Sequence, residues 1–294
     1  MMKSKLKTLL GGLALLLMVG VTGGATLSPA SADTLEKARE EGTIRVGVGL
    51  MGTKPFVWQE GDNYVGIEAD LIREVIKRIG IKDFEYVVTE WSTLIPGLKA
   101  NRWDMLVTGL VKTEERIQGG GILMSKPYMM AYDVIIVTKD SPIKSEADLK
   151  GKTLATLLGS TDSLVAHSIV ARGGAAEVKD FNTYAEPFMA LRNKQVDAVI
   201  FDQFTYMGFK ESMPDLMAVG EPILYLPKPE WAEAQAKADY KLGGPGIAVR
   251  KEDTALLDAI NKALDEMDAD GTRQKIIEKY GAWDELQTRE AMSQ

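Results

Sequence analysis

The stretch MLVTGLVKTEER at residues 105–116 joins a short apolar run to a loop that ends on an arginine, and SKPY follows at residues 125–128. The run MLV is typical of a buried β-strand. Ligands bind beyond the carboxyl ends of strands in open parallel sheets, so a loop at that edge would aim Arg116 at an anion. Arg116 could instead pair at the surface with the two glutamates that precede it. The buried strand ahead of the loop favours the anion-binding interpretation.

Strand and helix patterns alternate on both sides of this stretch, which predicts an α/β fold. Apolar residues alternate over 44–50, recur at helical spacing over 67–79, and alternate again over 84–88. Further apolar runs indicate strands at residues 133–139, 153–156, 178–181, 197–201 and 246–250. These segments are numerous enough to build more than one sheet.

The order of these elements predicts two lobes. A first strand–helix set ends near residue 131, a second set is inserted, and the chain returns to the first set near residue 246. Lobe 1 is expected to comprise residues 33–132 and 246–294, and lobe 2 residues 133–245. Each lobe would hold a mostly parallel sheet flanked by helices. The two crossings would form a two-strand hinge, because paired strands can absorb small rotations together.

Residues 1–32 have the three-part pattern of a secretory signal peptide. Three lysines precede an apolar run over residues 9–21, and Ala30-Ser31-Ala32 supplies the small residues of a cleavage site. A membrane anchor is the alternative, but glycines interrupt the run, which is shorter than the ~20 apolar residues of a spanning helix. We therefore predict cleavage after Ala32 and secretion into the periplasm.

The composition excludes several classes of function. The chain has no cysteine and one histidine, which leaves no disulfide framework, no lipid-modified N-terminal cysteine, no zinc site and no Ser-His triad. The histidine, His167, lies in an apolar helix and is expected to be structural. The net charge of −7 argues against a nucleic-acid partner, because phosphates require a basic surface. No metal or other cofactor is expected.

The carboxylate of Asp202 ends the apolar strand DAVIFD. A buried carboxylate is costly without a cationic or hydrogen-bonding partner, and either a ligand ammonium group or a helix N-terminus would serve. Together with Arg116, Asp202 predicts a pocket for a zwitterion, a molecule that carries both a carboxylate and an ammonium group.

Gly159-Ser160-Thr161 lies between a predicted strand and a predicted helix. The first N–H groups of a helix lack internal partners, so this segment suits a ligand carboxylate. Ser160 or Thr161 could instead only cap the helix, but the presence of Arg116 favours anion binding. Trp91 follows the second predicted strand and could stack on a ligand or fill the core.

Residues 47–52 match the pattern GxGxxG of dinucleotide-binding folds. That motif requires a helix to open directly after the glycines. Here no helix is predicted before about residue 67, so nucleotide binding is not expected.

Taken in order, the motifs of the chain resemble those of the periplasmic amino-acid-binding proteins of ABC importers, family 3 of the bacterial extracellular solute-binding proteins. The resemblance covers nearly all of the mature chain and rests on the following segments: IRVGVG, PF, VGIEADLIREVIKRIG, WSTLIPGLKANRWDM, TEER, SKPY, SPIKSEADLKGKTLATLLGST, VDAVIFD, GIAVRK and DGTRQKIIEKYG. It implies the type II periplasmic-binding-protein fold. It also implies a monomer that closes around its ligand, docks on a membrane permease and has no catalytic residues.

The resemblance also assigns ligand-binding roles. Arg116 would bind the ligand α-carboxylate, helped by backbone groups of Gly109 and Val111 and by the helix N-terminus at Ser160 and Thr161. Asp202 would bind the α-ammonium, and Trp91 would pack on the ligand side chain.

The side-chain end of the pocket departs from the family pattern. Phe56 belongs to the PF motif, but Thr53 stands where many members carry an aromatic residue. Val111 stands where many have Ser or Thr, so one hydroxyl contact would be lost. The pocket is thus expected to be roomier, with Lys54 nearby as an additional cation.

Two other functions fit the same resemblance. A periplasmic enzyme similar to cyclohexadienyl dehydratases, acting on arogenate or prephenate, would use an acid in the cleft. Glu68, Asp70 and Asp202 are the available acids, although the first two are expected to begin a helix and to favour its dipole. A protein that reports its loaded state to a membrane receptor would differ in partner and not in pocket.

Overall fold

The protein is described here by a computed structural model that covers residues 33–49 and 51–293. The predicted signal peptide, residues 1–32, lies outside the described residues. The strands are β1 (Thr43–Val48), β2 (Trp58–Glu60), β3 (Asn63–Val65), β4 (Asp83–Val88), β5 (Met105–Leu106), β6 (Ile122–Met124), β7 (Asp133–Thr138), β8 (Thr153–Leu157), β9 (Glu177–Phe181), β10 (Ala198–Asp202), β11 (Leu216–Ile223) and β12 (Ala248–Arg250).

The helices alternate with these strands. They are α1 (Thr34–Glu41), α2 (Ile67–Arg78), α3 (Leu94–Lys99), α4 (Thr161–Ala171), α5 (Ala185–Arg192), α6 (Gln203–Lys210), α7 (Pro229–Ala236), α8 (Thr254–Ala269), α9 (Thr272–Lys279) and α10 (Arg289–Met292). Arg116 lies on a short π-helical segment, Glu115–Gly119.

The strands form two five-stranded sheets and one small hairpin of β2 and β3. The first sheet has the order β4-β1-β5-β12-β6, and the second has the order β11-β7-β10-β8-β9. In the first sheet β12 is antiparallel to both neighbours, and in the second sheet β7 is antiparallel to both neighbours. The other four strands of each sheet share one direction. The predicted α/β fold with two mostly parallel sheets is therefore confirmed.

Two backbone segments connect the sheets side by side. Residues 125–131 leave the first sheet, and residues 243–247 return to it. Three hydrogen bonds join them, from the Ser125 N–H to the Ile247 carbonyl (2.9 Å), from the Tyr128 N–H to the Pro245 carbonyl (3.0 Å) and from the Ala131 N–H to the Gly243 carbonyl (2.9 Å). The exact lobe boundaries near residues 132 and 246 stay predictions, because the chain from Asp33 onward packs as one compact unit.

Helix α2 shows how local sequence positions the site. Its predicted apolar face is buried, and the helix begins at Ile67, directly after Gly66. Gly66 has a φ of 125°, and a Cβ there would lie 2.2 Å from the Phe56 carbonyl oxygen. Only glycine permits this conformation and this close approach. The loop that carries Phe56 is thereby held against the start of α2.

The first glycine of the GxGxxG pattern has a packing role. A Cβ at Gly47 would lie 2.8 Å from Trp103, whose side chain is buried in the core. The Trp103 ring also lies where a Cβ of Gly97 would be, and its indole N–H donates to the Leu94 carbonyl at 3.1 Å. The first of these glycines therefore makes room for a tryptophan side chain.

Three acidic positions meet at one edge of the second sheet. Asp202 is the last residue of β10, and Asp133 is the first residue of the antiparallel strand β7, directly opposite it in register. Strand β8 runs parallel to β10, and α4 begins just beyond its end, which brings Asp162 to the same edge.

Candidate functional site

Seven of the nine residues predicted for the ligand site line one cavity at this edge. They are Phe56, Trp91, Gly109, Val111, Ser160, Thr161 and Asp202. The first four precede the crossing to the second sheet, and the other three belong to its edge. Arg116 and Thr53 are not part of the lining.

Arg116 lies directly beside the cavity. It lines an adjoining pocket that shares Ser160 with the first one, and its Nη1 donates to the Val111 carbonyl at 2.7 Å. Burial lowers the pKa of Arg116, and the nearby Tyr225 and Asp162, which both line the cavity, act in the opposite direction. A guanidinium has five N–H groups, so the bond to Val111 leaves donors for an anion.

Asp202 caps helix α6. Its Oδ1 accepts from the N–H groups of Phe204 and Thr205, each at 2.9 Å. The helix N-terminus considered as a partner for this carboxylate is therefore present. Burial, reinforced by the charge of Asp162, raises the pKa of Asp202 to about 7. The cap alone does not compensate the charge, so a cation in the cavity would stabilise the ionised form.

The sequence did not single out two further carboxyl groups in the cavity wall. Asp133 and Asp162 are 6% and 7% exposed and both line the cavity. Burial raises the pKa of both carboxyl groups, and the nearby charge of Asp162 raises that of Asp133 further. Two features of the sequence could have indicated them. Asp133 begins a predicted strand, and Asp162 directly follows Gly159-Ser160-Thr161.

Glu68 lies behind this wall and is fully buried. Its Oε1 accepts from the Gly109 N–H at 2.5 Å and is hydrogen-bonded to the Tyr128 hydroxyl. Burial raises the pKa of Glu68 to about 7, and the nearby charge of Asp202 contributes. The expectation that Glu68 only favours the helix dipole was incomplete, because the side chain turns inward. The Gly109 N–H, expected to help bind the ligand, already donates to Glu68.

Asp70, the neighbouring acid, points to the surface instead. Its carboxylate pairs with Arg73 at 3.0 Å and with Lys279 at 2.6 Å, and it accepts from the Tyr280 hydroxyl at 2.7 Å. It does not line the cavity.

Trp91 spans the two sides of the cavity. Its indole N–H donates to the Gly159 carbonyl at 3.1 Å, and its ring meets Tyr184 edge-on at 6.2 Å. Tyr184 stacks on Phe201 of the second sheet. Tyr184 and Tyr225 line the cavity and were missed by the sequence analysis. Since Trp91 lines the cavity while packing on the core, the stacking and core-filling alternatives are both compatible with its position.

Ser160 caps helix α4. Its hydroxyl donates to the Leu157 carbonyl at 2.8 Å and accepts from the Ser163 N–H at 3.0 Å. Ser160 therefore caps the helix, which is one of the two roles considered for this segment. Thr161 is the first residue of the helix and lines the cavity with its neighbour.

The loop before Phe56 places Lys54 away from the cavity. The Lys54 ammonium lies over the Trp58 ring, 5.2 Å from its centre, in a separate pocket. The expectation of an additional cation in the cavity was therefore wrong. Thr53 is buried and paired with Val57, while the Phe56 ring meets Phe204 edge-on at 6.0 Å.

Helix α6 packs tightly on the same loop. A Cβ at Gly208 would lie 1.8 Å from the Lys54 carbonyl oxygen. The helix that begins after Asp202 and the loop that carries Phe56 therefore touch backbone to backbone.

His167 differs from its expected environment. Its side chain is 54% exposed, and its Nε2 lies 2.8 Å from the Asp180 carboxylate. It points away from the apolar face of α4 and takes no part in the cavity lining.

Comparison with known proteins agrees with this fold. The family described as bacterial extracellular solute-binding proteins, family 3, matches residues 44–282. The arginine-binding extracellular protein ArtP of Bacillus subtilis (strain 168) is 32% identical over 235 residues, which cover 79% of this chain and 85% of ArtP.

Two solved structures are also similar. An ancestral arginine-binding protein bound to arginine is 34% identical with a TM-score of 0.68, covering 81% of this chain and 98% of its own. The ancestral amino acid-binding protein AncCDT-1, a precursor of cyclohexadienyl dehydratase, is 28% identical with a TM-score of 0.69, covering 84% and 99%.

Within residues 33–49 and 51–293, no helix has both the length and the apolar character needed to cross a membrane. The family match extends over most of the chain and includes both sheets and the cavity between them. The chain therefore belongs to family 3 of the bacterial extracellular solute-binding proteins.

Proposed function

We propose that the protein binds an amino acid or a related amino-carboxylate in this cavity and delivers it to the membrane permease of an ABC importer. One observation carries the proposal: the Asp202 carboxylate lines a cavity, and the Arg116 side chain lines the pocket that adjoins it. Opposite charges beside one cavity match the two ends of a zwitterion. The arginine-binding relatives support the same ligand class.

In this proposal Arg116 binds the ligand carboxylate, assisted by the helix N-terminus at Ser160 and Thr161. Asp202 binds the ammonium group, and Trp91 covers the ligand side chain. The aromatic residues around the cavity exclude water, which strengthens both charge pairs.

Delivery requires the cavity to open and close. Residues 33–132 with 246–294 and residues 133–245 would move as two lobes about the paired crossing segments. The chain would act as a periplasmic monomer after cleavage of the signal peptide, as the extracellular character of its family supports.

The test is calorimetric titration of the purified protein with amino acids, chosen first by a thermal-shift screen, because a ligand that binds only the folded state raises its melting temperature. Arg116→Ala should weaken binding by about 2–5 kcal/mol, since it leaves the ligand carboxylate unpaired in a buried site. Arg172→Ala is the matched control, because Arg172 pairs with Glu146 on the exposed surface. Equal affinities for wild type and Arg116→Ala would contradict the proposal.

A dehydratase is the second candidate. Glu68 and Asp202 each have a pKa of about 7, which is the range in which a carboxyl group can act as a general acid. The relatives described above are binding proteins, which favours the first candidate. Turnover of arogenate or prephenate by the purified protein would favour the enzyme instead.

A further inference from the structure

The cavity contains more acid than a simple zwitterion requires. Three aspartates line it, while the nearest cation, Arg116, stands beside it. The proposed function pairs Arg116 with the ligand carboxylate and Asp202 with the α-ammonium. Asp133 and Asp162 then remain without a cationic partner in the cavity.

The contacts of Asp133 are the second observation. In the part of the chain that the structure describes, no N–H group donates to its carboxyl, and its side chain is only 6% exposed and lines the cavity together with Asp162. Two carboxylates are both acceptors and repel each other, so neighbouring buried carboxyl groups favour a proton on one of them. We therefore expect the ligand-free pair to hold one proton at a site that is nine-tenths buried and faces the cavity.

The surroundings of the pair reinforce this conclusion. The charged and titratable groups that face it are Asp202 at the end of β10, Arg116 on the π-helical segment, and Tyr184 before α5. Glu68 of α2 lies next to Asp202 and Tyr184. Arg116 is the single cation among them. One guanidinium cannot balance several carboxylates, so protons or a cationic ligand must do so.

The geometry fits an organic cation. Asp133 and Asp202 are register partners on adjacent strands, which places their Cβ atoms about 4.5–5.5 Å apart. A ligand whose ammonium meets Asp202 can therefore reach the pair with a second group on its own side chain. Among the described residues no three acidic side chains are arranged to hold one metal ion.

We propose that Asp133 and Asp162 form a second cation-binding subsite, so that the ligand is an α-amino acid with an amino, guanidinium or imidazolium group on its side chain. Binding of that group displaces the shared proton to the solvent. The inference rests on the proposed function, since it assumes that the α-ammonium occupies Asp202.

The experiment compares cationic ligands with their neutral isosteres by calorimetry. Lysine is paired with norleucine and arginine with citrulline. We expect the cationic member of a pair to bind at least about tenfold tighter, which corresponds to ~1.4 kcal/mol. Its binding heat should differ between phosphate and Tris buffers at one pH, because a released proton is taken up by the buffer. Its affinity should fall by up to about tenfold per pH unit as acidification stabilises the shared proton.

Asp133→Asn and Asp162→Asn test the assignment of residues. Each should reduce the preference for the cationic member and the proton release, with a small effect on the neutral member. Asp258→Asn, at an exposed position of α8, is the control. Circular dichroism checks that both variants are folded, and using two variants separates a local folding defect from a role of the pair.

The outcomes separate the two proposals. Equal affinity for cationic and neutral members, no proton release, or an equal loss for both members in the variants would overturn the subsite and leave amino-acid binding intact. Absence of binding by every amino acid tested would overturn the proposed function itself.

Discussion

Buried charged groups have different surroundings in the core of the first sheet and in the cavity wall of the second sheet. Arg250, on β12, is 5% exposed; it pairs with Asp253 at 2.9 Å and donates to the Trp103 carbonyl at 2.8 Å. Asp133 and Asp162 are buried to a similar degree, and burial raises the pKa of both. Arg250 thus has protein partners for its charge. In the cavity the acids outnumber the cation.

This difference distinguishes buried charged side chains that stabilise the fold from those that can bind a ligand. An uncompensated buried charge destabilises the folded protein, so its presence at a cavity indicates a role in ligand binding. A compensated pair such as Arg250–Asp253 requires no ligand. Burial alone therefore does not identify a site, whereas the balance of charge around the buried group does.

The largest effect is expected from breaking the compensated pair. Arg250→Leu removes the partner of Asp253, whose side chain is only 6% exposed, and should lower the free energy of unfolding by about 3–5 kcal/mol. Urea-induced unfolding measures the change. Lys251→Leu is the control, since Lys251 is an exposed neighbour. A loss below about 1 kcal/mol for Arg250→Leu would contradict the proposed difference in charge compensation between the core and the cavity.

A smaller effect is expected from pH on the ligand-free cavity. Glu68 and Asp202 each have a pKa of about 7, above the value near 4 of an unfolded chain. The folded state thus binds more protons than the unfolded state between about pH 4 and pH 7. The stability these groups contribute is fully present below about pH 4 and is lost as the pH rises through 7. Each contributes a slope of up to ~1.4 kcal/mol per pH unit.

Glu68→Gln and Asp202→Asn should flatten that slope in urea unfolding measured from pH 4.5 to 7.5. Asparagine is also a good helix N-cap, so the second variant retains the cap of α6. A slope identical to that of the wild type in both variants would contradict the assignment of the pH dependence to the cavity.

The smallest effect is expected at an exposed pair that belongs to neither region. Lys237 and Glu233 on α7 lie 2.6 Å apart with side chains 72% and 85% exposed. Lys237→Ala should change the free energy of unfolding by no more than about 0.5 kcal/mol, because solvent screens the pair. Thermal unfolding at low and at moderate salt measures this, and a loss above 1 kcal/mol would mean that surface charge also matters here.

Much of the fold could be predicted because its local signals agree with its tertiary structure. The apolar face of α2 begins at Ile67 after a glycine, as its spacing indicated. The strand before Arg116 and the strand that ends at Asp202 are both buried, and both lead to the cavity. Residues at strand ends could thus be assigned to one site before their contacts were known.

The parts that could not be predicted depend on long-range geometry. The register that sets Asp133 opposite Asp202 joins strands from distant parts of the chain, and no local pattern specifies it. Glu68 stands in the first turn of a helix, where an acid is common, and only the tertiary fold brings Gly109 to it. His167 lies among apolar neighbours in the sequence but faces outward toward Asp180.

The contact of Gly208 with the Lys54 carbonyl has a consequence for engineering. A methyl group at position 208 would lie 1.8 Å from that oxygen, far inside van der Waals contact. Alanine there would force α6 and the loop that carries Phe56 apart. The missing side chain of one residue is thus what lets the two walls of the binding cleft come together.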